Sequence, residues 1–295
     1  MLLDEIDRNK RRSVLLLGIF ILLTTAIFAA AFRQMKFGSG AIVLAVLVAG
    51  GMAFASYWTS DRIALAVSGA RPAPEEEFTR LHNLVEGLCL SGALPKPRIY
   101  VIEDDAPNAF ATGRDPDHAA IAVTTGLLAK MNRAELEGVL AHELAHIKNY
   151  DTLVATLAVT MVGAIAIVSD LSMRFSGRRH SDREGGGPLA VVGALLLVFG
   201  PFLAQLMQYA VSRNRESLAD ARGAELTRYP AGLISALEKL RDDQTVVSAH
   251  SRATAHLWIE SPLPRRKSEG RFAWLNRMYD THPPLEERID RLRQL

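Results

Sequence analysis

The sequence predicts an α+β fold: a mainly helical domain with a small β-sheet, carried on two transmembrane helical hairpins. Three observations predict it. Four uncharged apolar runs, Val14 to Phe32, Ala41 to Trp58, Thr152 to Ser169 and Pro188 to Ala210, reach or exceed the ~18–20 residues that cross a bilayer. Around them, charge and helical periodicity return, as in a soluble domain. Within that domain, Arg98 to Glu103 alternates like a strand and Ala119 to Thr124 is a second strand candidate, with a third extended segment, Asn108 to Gly113, between them. The expected divisions are an N-terminal hairpin over 1–60, a first part of the soluble domain over 61–151, a second hairpin over 152–210, and the rest of the domain over 211–295.

The first run follows a polar start that carries Arg8, Lys10, Arg11 and Arg12. A secretory signal peptide is the rival reading, since Ala29, Ala30 and Ala31 offer a small-residue cleavage site. The run exceeds the usual ~7–15-residue signal core, which favours a membrane helix. Gly38-Ser39-Gly40 turns the chain into the second run, where Tyr57 and Trp58 suit the interface. Four basic residues before the first run, against Arg33 and Lys36 after it, place the N-terminus inside. The soluble domain is then expected on the cytoplasmic face of the inner membrane of a multi-pass protein.

Beyond Asp61, Glu75 to Leu90 reads as an amphipathic helix through Phe78, Leu81, Leu84, Val85 and Leu88, ended by Gly92 and Pro95. The strand candidates follow. A small sheet there offers an edge for an extended peptide, and an ordinary hairpin rim gives the same pattern. Asn132, with Glu135 three residues on, forms a capping box at the start of a helix whose stripe is Leu136, Leu140, Leu144 and Ile147.

That helix carries His142-Glu143-Leu144-Ala145-His146. Residues four apart share a helix face, so both imidazoles can point at one Zn²⁺, with Glu143 beside an open position. So short a pattern recurs by chance. The independently predicted helix, and the placing of the histidines off its apolar stripe, raise it above coincidence.

The third run is expected to continue this helix into the membrane. A basic loop with Arg174, Arg178, Arg179, His180 and Arg183 separates it from the fourth, which Gly193 and Gly200-Pro201 interrupt. A fully spanning second hairpin would put that loop outside, against the excess of cations expected inside. Either the first pair sets the orientation, or the second hairpin inserts only partly.

Next comes Ser212 to Asp220, a charged helical segment. Glu216 is the candidate third metal ligand, and Asp220, one turn on, can hold the far nitrogen of a metal-bound histidine. From the pattern alone, a solvated helix face is the better reading of both. Ala221 to Arg241 reads as one packing helix, and 242–271 as a polar loop, better read as plainly solvated than as one whose Arg265-Arg266-Lys267 meets anionic lipid.

Lys and Arg total 34 against 32 Asp and Glu, a net charge of +2, too balanced for nucleic-acid binding through a basic field. Cys89, the one cysteine, leaves no internal disulfide and reads as a small core residue.

Together, the HELAH segment, the spacing Ser212, Arg213, Glu216, Ala219 and Asp220, the trio Asn108, Ala109 and Gly113, and Thr281-His282-Pro283-Pro284 resemble the HtpX branch of the M48 membrane metallopeptidases. The match spans nearly the whole chain. The related prenyl-protein endopeptidases share these motifs but are richer in membrane helices. The resemblance implies a zincin-like metallopeptidase domain with one zinc ion per subunit, held by His142, His146 and Glu216. It further implies Glu143 as base, Asp220 orienting a ligand, and Asn108 and Ala109 on a substrate-facing edge. His282 looks like the family histidine near the reaction centre, able to steady an oxyanion; equally, it precedes a helix for which Pro283 suits the first position.

The expected activity is zinc-dependent hydrolysis of membrane or unfolded polypeptides, in membrane-protein quality control. A prenyl-protein endopeptidase and a turnover-deficient metal-binding scaffold are the alternatives. The intact Glu143 argues against the scaffold, and spans without ionisable residues argue against a transporter.

Overall fold

The computed structural model describes residues 2–34, 38, 40–157, 213–243, 245, 247, 257–260 and 283–295. The second hairpin beyond residue 157, the basic loop after it, the cluster Arg265-Arg266-Lys267 and His282 lie outside the described residues.

Two long helices come first, α1 (Leu2–Gln34) and α2 (Gly40–Val67), both long and apolar enough to cross a membrane. Ala41, Ala45, Ala49 and Ala53, one turn apart, are buried along one face of α2. Small side chains there allow close helix approach. Ile42, Val43, Leu47, Phe54 and Trp58 are exposed. In water such a surface would be costly; against lipid it is not.

The expected second run ends at Trp58, but α2 continues unbroken for nine more residues. Its extension is amphipathic, not apolar, and packs on protein. Ala64 and Leu65 join Phe110, Ala120 and Ala122 of the sheet, and Asp61 accepts a hydrogen bond from Arg98.

The sheet has four strands: β1 (Arg71–Pro72), β2 (Arg98–Ile102), β3 (Ala109–Gly113) and β4 (Ala119–Thr124). Their order is β1-β2-β4-β3, with β2 and β4 parallel and the outer pairs antiparallel. Between β1 and β2 lies α3 (Thr79–Gly92), whose apolar face enters the core through Leu81, Leu84, Val85 and Leu88. Ala93, in the left-handed region at φ 50, ends it.

A short helix unforeseen from the sequence, α4 (Thr125–Lys130), starts directly after β4. The Thr124 hydroxyl accepts from Leu127 N at 3.1 Å and caps it.

At the centre is α5 (Arg133–Lys148), whose capping box has both bonds formed: Glu135 N to Asn132 Oδ1 at 3.0 Å and Asn132 N to Glu135 Oε2 at 2.8 Å. Leu136, Leu140, Leu144 and Ile147 are buried as expected, but so are Val139, Ala141, His142 and Glu143. The helix is enclosed on nearly every side.

It also ends sooner than expected. Tyr150 takes φ 60, breaking the helix before residues 151–157 turn helical again. That second piece packs Leu153 and Leu157 on Phe20 and Ile27 of α1.

Two helices then flank α5: α6 (Arg213–Thr227) and α7 (Pro230–Asp242). The sequence reading joins them as one. Arg228 at φ 51, and Pro230 at the first position of the next helix, divide them. Close crossing at α5 depends on missing side chains: a Cβ on Gly138 would stand 2.7 Å from Leu233 N, and one on Gly223 3.0 Å from His142 N. The last helix, α8 (Leu285–Leu292), returns to this core through Leu285, Ile289 and Leu292.

Candidate metal centre

The buried middle of α5 presents His142 and His146, and the first turn of α6 brings Glu216 against them. His142 Nε2 and His146 Nε2 are 3.1 Å apart. Glu216 Oε1 lies 3.5 Å from His146 Nε2, and Oε2 lies 3.7 Å from His142 Nε2. A tetrahedral ion with bonds of ~2.0–2.1 Å sets its ligands about 3.3–3.4 Å apart. The triangle therefore has the size that zinc requires, and its two-nitrogen, one-carboxylate donor set suits that metal.

Each histidine is aimed by a carboxylate behind it. Asp220 Oδ1 is 3.0 Å from His142 Nδ1, and Asp151 Oδ2 is 3.1 Å from His146 Nδ1. Nδ1–H donating to a carboxylate leaves Nε2 free to bind a metal.

Arg288 of α8, buried, donates to both oxygens of Asp220 and, from Nη1, to the Ile259 carbonyl at 3.1 Å. Its Nη1 also lies 3.6 Å from Glu216 Oε2.

The electrostatics divide the two imidazoles. Burial and the Arg288 cation, against the pull of Asp220, lower His142 to about 4. For His146, burial again opposes the charge, but the Asp151 hydrogen bond with Glu216 and Glu143 outweighs it and raises the ring to about 9. Asp220 falls to about 2: burial would raise it, and Arg288 and His142 win. With His146 raised and His142 lowered, His146 Nε2 takes the donor role in its 3.1 Å contact with His142 Nε2.

Glu143, also buried, lines the same cleft as Ala111, Thr152, Ala155, Leu257 and Trp258. A carboxylate beside a three-ligand site can accept a proton from water, and the apolar wall can receive a side chain.

Of the residues proposed from sequence, His142, Glu143, His146, Glu216 and Asp220 converge here. Asn108 and Ala109 lie nearby, with their outer edge paired to the chain itself. Ala109 O accepts from Ile259 N at 2.9 Å, Asn108 Nδ2 donates to Glu260 O at 2.9 Å, and Phe110 bridges Trp258. Because Asn108 O faces β4, outward positions alternate as Ala109, Ala111 and Gly113, and Ala111 is the one on the cleft.

Sequence reasoning missed Arg288, Asp151 and the segment 257–260. Asp151, five residues past His146, carried a usable signal: a carboxylate within reach of the helix end.

The comparisons with known proteins agree with one another. A family model described as Peptidase family M48 matches residues 75–295. The Protease HtpX homolog of Tropheryma whipplei (strain Twist) is 42% identical over 298 residues, covering 100% of this chain and 99% of that protein. The Streptococcus gordonii homolog is 40% identical over 304 residues with 100% of both chains covered, and that of Aquifex aeolicus 45% over 264 residues, with 88% and 85% covered. Among solved structures, the crystal structure of S. mikatae Ste24p aligns at TM-score 0.50 and 19% identity, covering 98% of this chain and 67% of that one. At that identity the likeness speaks to fold alone.

Proposed function

The chain belongs to peptidase family M48, among its HtpX homologues, and is a metalloprotease; from that premise we propose a zinc endopeptidase that cleaves membrane or misfolded polypeptides at the cytoplasmic face. The observation that carries this reading is the zinc-sized triangle of His142, His146 and Glu216 with Glu143 in the same cleft.

A zinc ion held there would supply Lewis acidity, polarising the scissile carbonyl and making water a better nucleophile near neutral pH. Glu143 takes the proton that the attacking water gives up and returns it to the departing amine. An extended substrate lies in the cleft that Ala111 lines, beside a strand edge already paired with residues 257–259. Ala155, Leu257 and Trp258 form the apolar wall for its side chains. The oxyanion role of His282 rests on the sequence resemblance.

A membrane setting fits the two apolar helices. Asn9 in the polar start of α1 touches the catalytic domain, which supports a shared side for the N-terminus and the site; the arginines before the first run argue that this side is the cytoplasm. Protein quality control is the cellular role that fits cleavage of misfolded membrane polypeptides. The prenyl-protein alternative has no observation in its favour beyond shared chemistry.

The test uses purified zinc-loaded protein in vesicles, with an unfolded membrane protein and a prenylated peptide as competing substrates. Cleavage of the first by the wild type, with retention of zinc but loss of cleavage in Glu143→Gln, is expected. Undiminished cleavage by Glu143→Gln would sink the mechanism, and preference for the prenylated peptide would sink the substrate assignment.

A further inference from the structure

Asn9 precedes the first apolar run, more than a hundred residues from the metal-site helix in sequence, yet it is 1% exposed. Its Nδ2 donates to Asn149 O and to Asp151 Oδ1, both at 2.8 Å. Both partners only accept, so the amide nitrogen must face them. The other oxygen of Asp151 holds His146 Nδ1, and Arg215 Nε lies 3.4 Å from Asp151 Oδ1.

The next residue strengthens the grip. Lys10 Nζ sits 4.5 Å from the centre of the Tyr150 ring, and Tyr150 is the residue at φ 60 that breaks the helix. From the opposite side, Arg222 of α6 donates to Asn149 Oδ1 at 2.5 Å. The break 149–151 is thus held between the first helix and the helix that carries Glu216.

We infer that Asn9 is a positioning residue for the metal centre, acting through Asp151 on the ring of His146, so that α1 is part of the catalytic apparatus and not only an anchor. This rests on His146 being a metal ligand. Its chemistry is that of an outer-shell support: the amide fixes the carboxylate, the carboxylate fixes the ring, and the ring presents Nε2 to the ion.

The experiment uses the full-length protein in detergent. Asn9→Leu removes both donors at similar volume; Asn9→Asp sets a carboxylate against Asp151; Thr24→Ala alters α1 far from the break and serves as control. For both Asn9 variants, zinc release to a chelator is expected to quicken roughly three- to tenfold, with kcat falling in step and KM unchanged. The visible spectrum of the cobalt-substituted protein should shift, more for Asn9→Asp. Thermal melting confirms folding, and if Asn9→Leu does not fold, Asn9→Ser, keeping one donor, should give an intermediate release rate. Release and spectra matching wild type in the folded Asn9 variants, or the same shifts in Thr24→Ala, overturn the inference alone. A wild type that binds no zinc overturns the metal reading, and this inference with it.

Discussion

Arg288 closes on Asp220 through two hydrogen bonds, Nε to Oδ2 at 2.9 Å and Nη2 to Oδ1 at 2.7 Å, with both side chains buried. Since Asp220 in turn holds His142, the C-terminal helix braces the metal-site helix through one carboxylate.

Removing that guanidinium strands a buried charge. Arg288→Met should cost about 3–5 kcal/mol in the stability of the solubilised protein. Arg288→Lys should recover little, because an ammonium cannot make the paired contact. A denaturant titration in which Arg288→Lys matches wild type would contradict this.

Glu216 is predicted to be needed for metal and not for fold. Glu216→Ala should weaken zinc binding beyond the ~10–100-fold expected for a lost outer-shell partner, while the protein stays folded. Metal analysis after dialysis decides it: one zinc per chain in the variant would remove Glu216 from the ligand set.

The charge states of the two histidines predict a pH dependence. Below about 9 the metal-free His146 carries a proton, which an incoming ion must displace, whereas His142 is already neutral above about 4. Zinc affinity should therefore rise about tenfold per pH unit below ~7, where zinc-bound water is still protonated, and more steeply above it. At pH 6, below the ~7 at which zinc-bound water ionises, uptake should release about one proton per metal. Calorimetry in buffers of differing ionisation enthalpy counts it, and a value near zero would speak against a protonated His146.

Gly223 marks where α6 crosses α5 over the backbone of His142. An added methyl would lie 3.0 Å from His142 N and 3.2 Å from its Cα, both unyielding backbone atoms. Gly223→Ala should cost about 1–3 kcal/mol and lower zinc occupancy. Gly87→Ala, with nothing within 4 Å on exposed α3, should gain roughly 0.5–1 kcal/mol instead. Equal melting temperatures for the two variants would refute the close crossing.

What could be read from the sequence was local. The capping box at Asn132, the alternation in β2, the short apolar run of β4, and the spacing of His142 and His146 each depend on neighbours within one helical turn or one strand. Arg228 and Pro230 mark a helix break in the sequence too, but the apolar period running across them hides it. Asn9, Asp151 and Arg288 gain their meaning only from contacts that the fold brings together. Nothing in the residues around Arg288 distinguishes it from its exposed neighbour Arg291 until α8 is seen to dock on Asp220.

The unbroken course of α2 has a mechanical consequence. With no joint between its apolar length and the part that Asp61 and Ala64 fasten to the sheet, the domain cannot swing on a tether. If α2 spans the bilayer as proposed, the height of the site above the lipid is set by a rod that rises about 1.5 Å per residue. Such a rod would act as a gauge: of all the bonds along a protruding chain, those at one distance from the bilayer would be presented for cleavage.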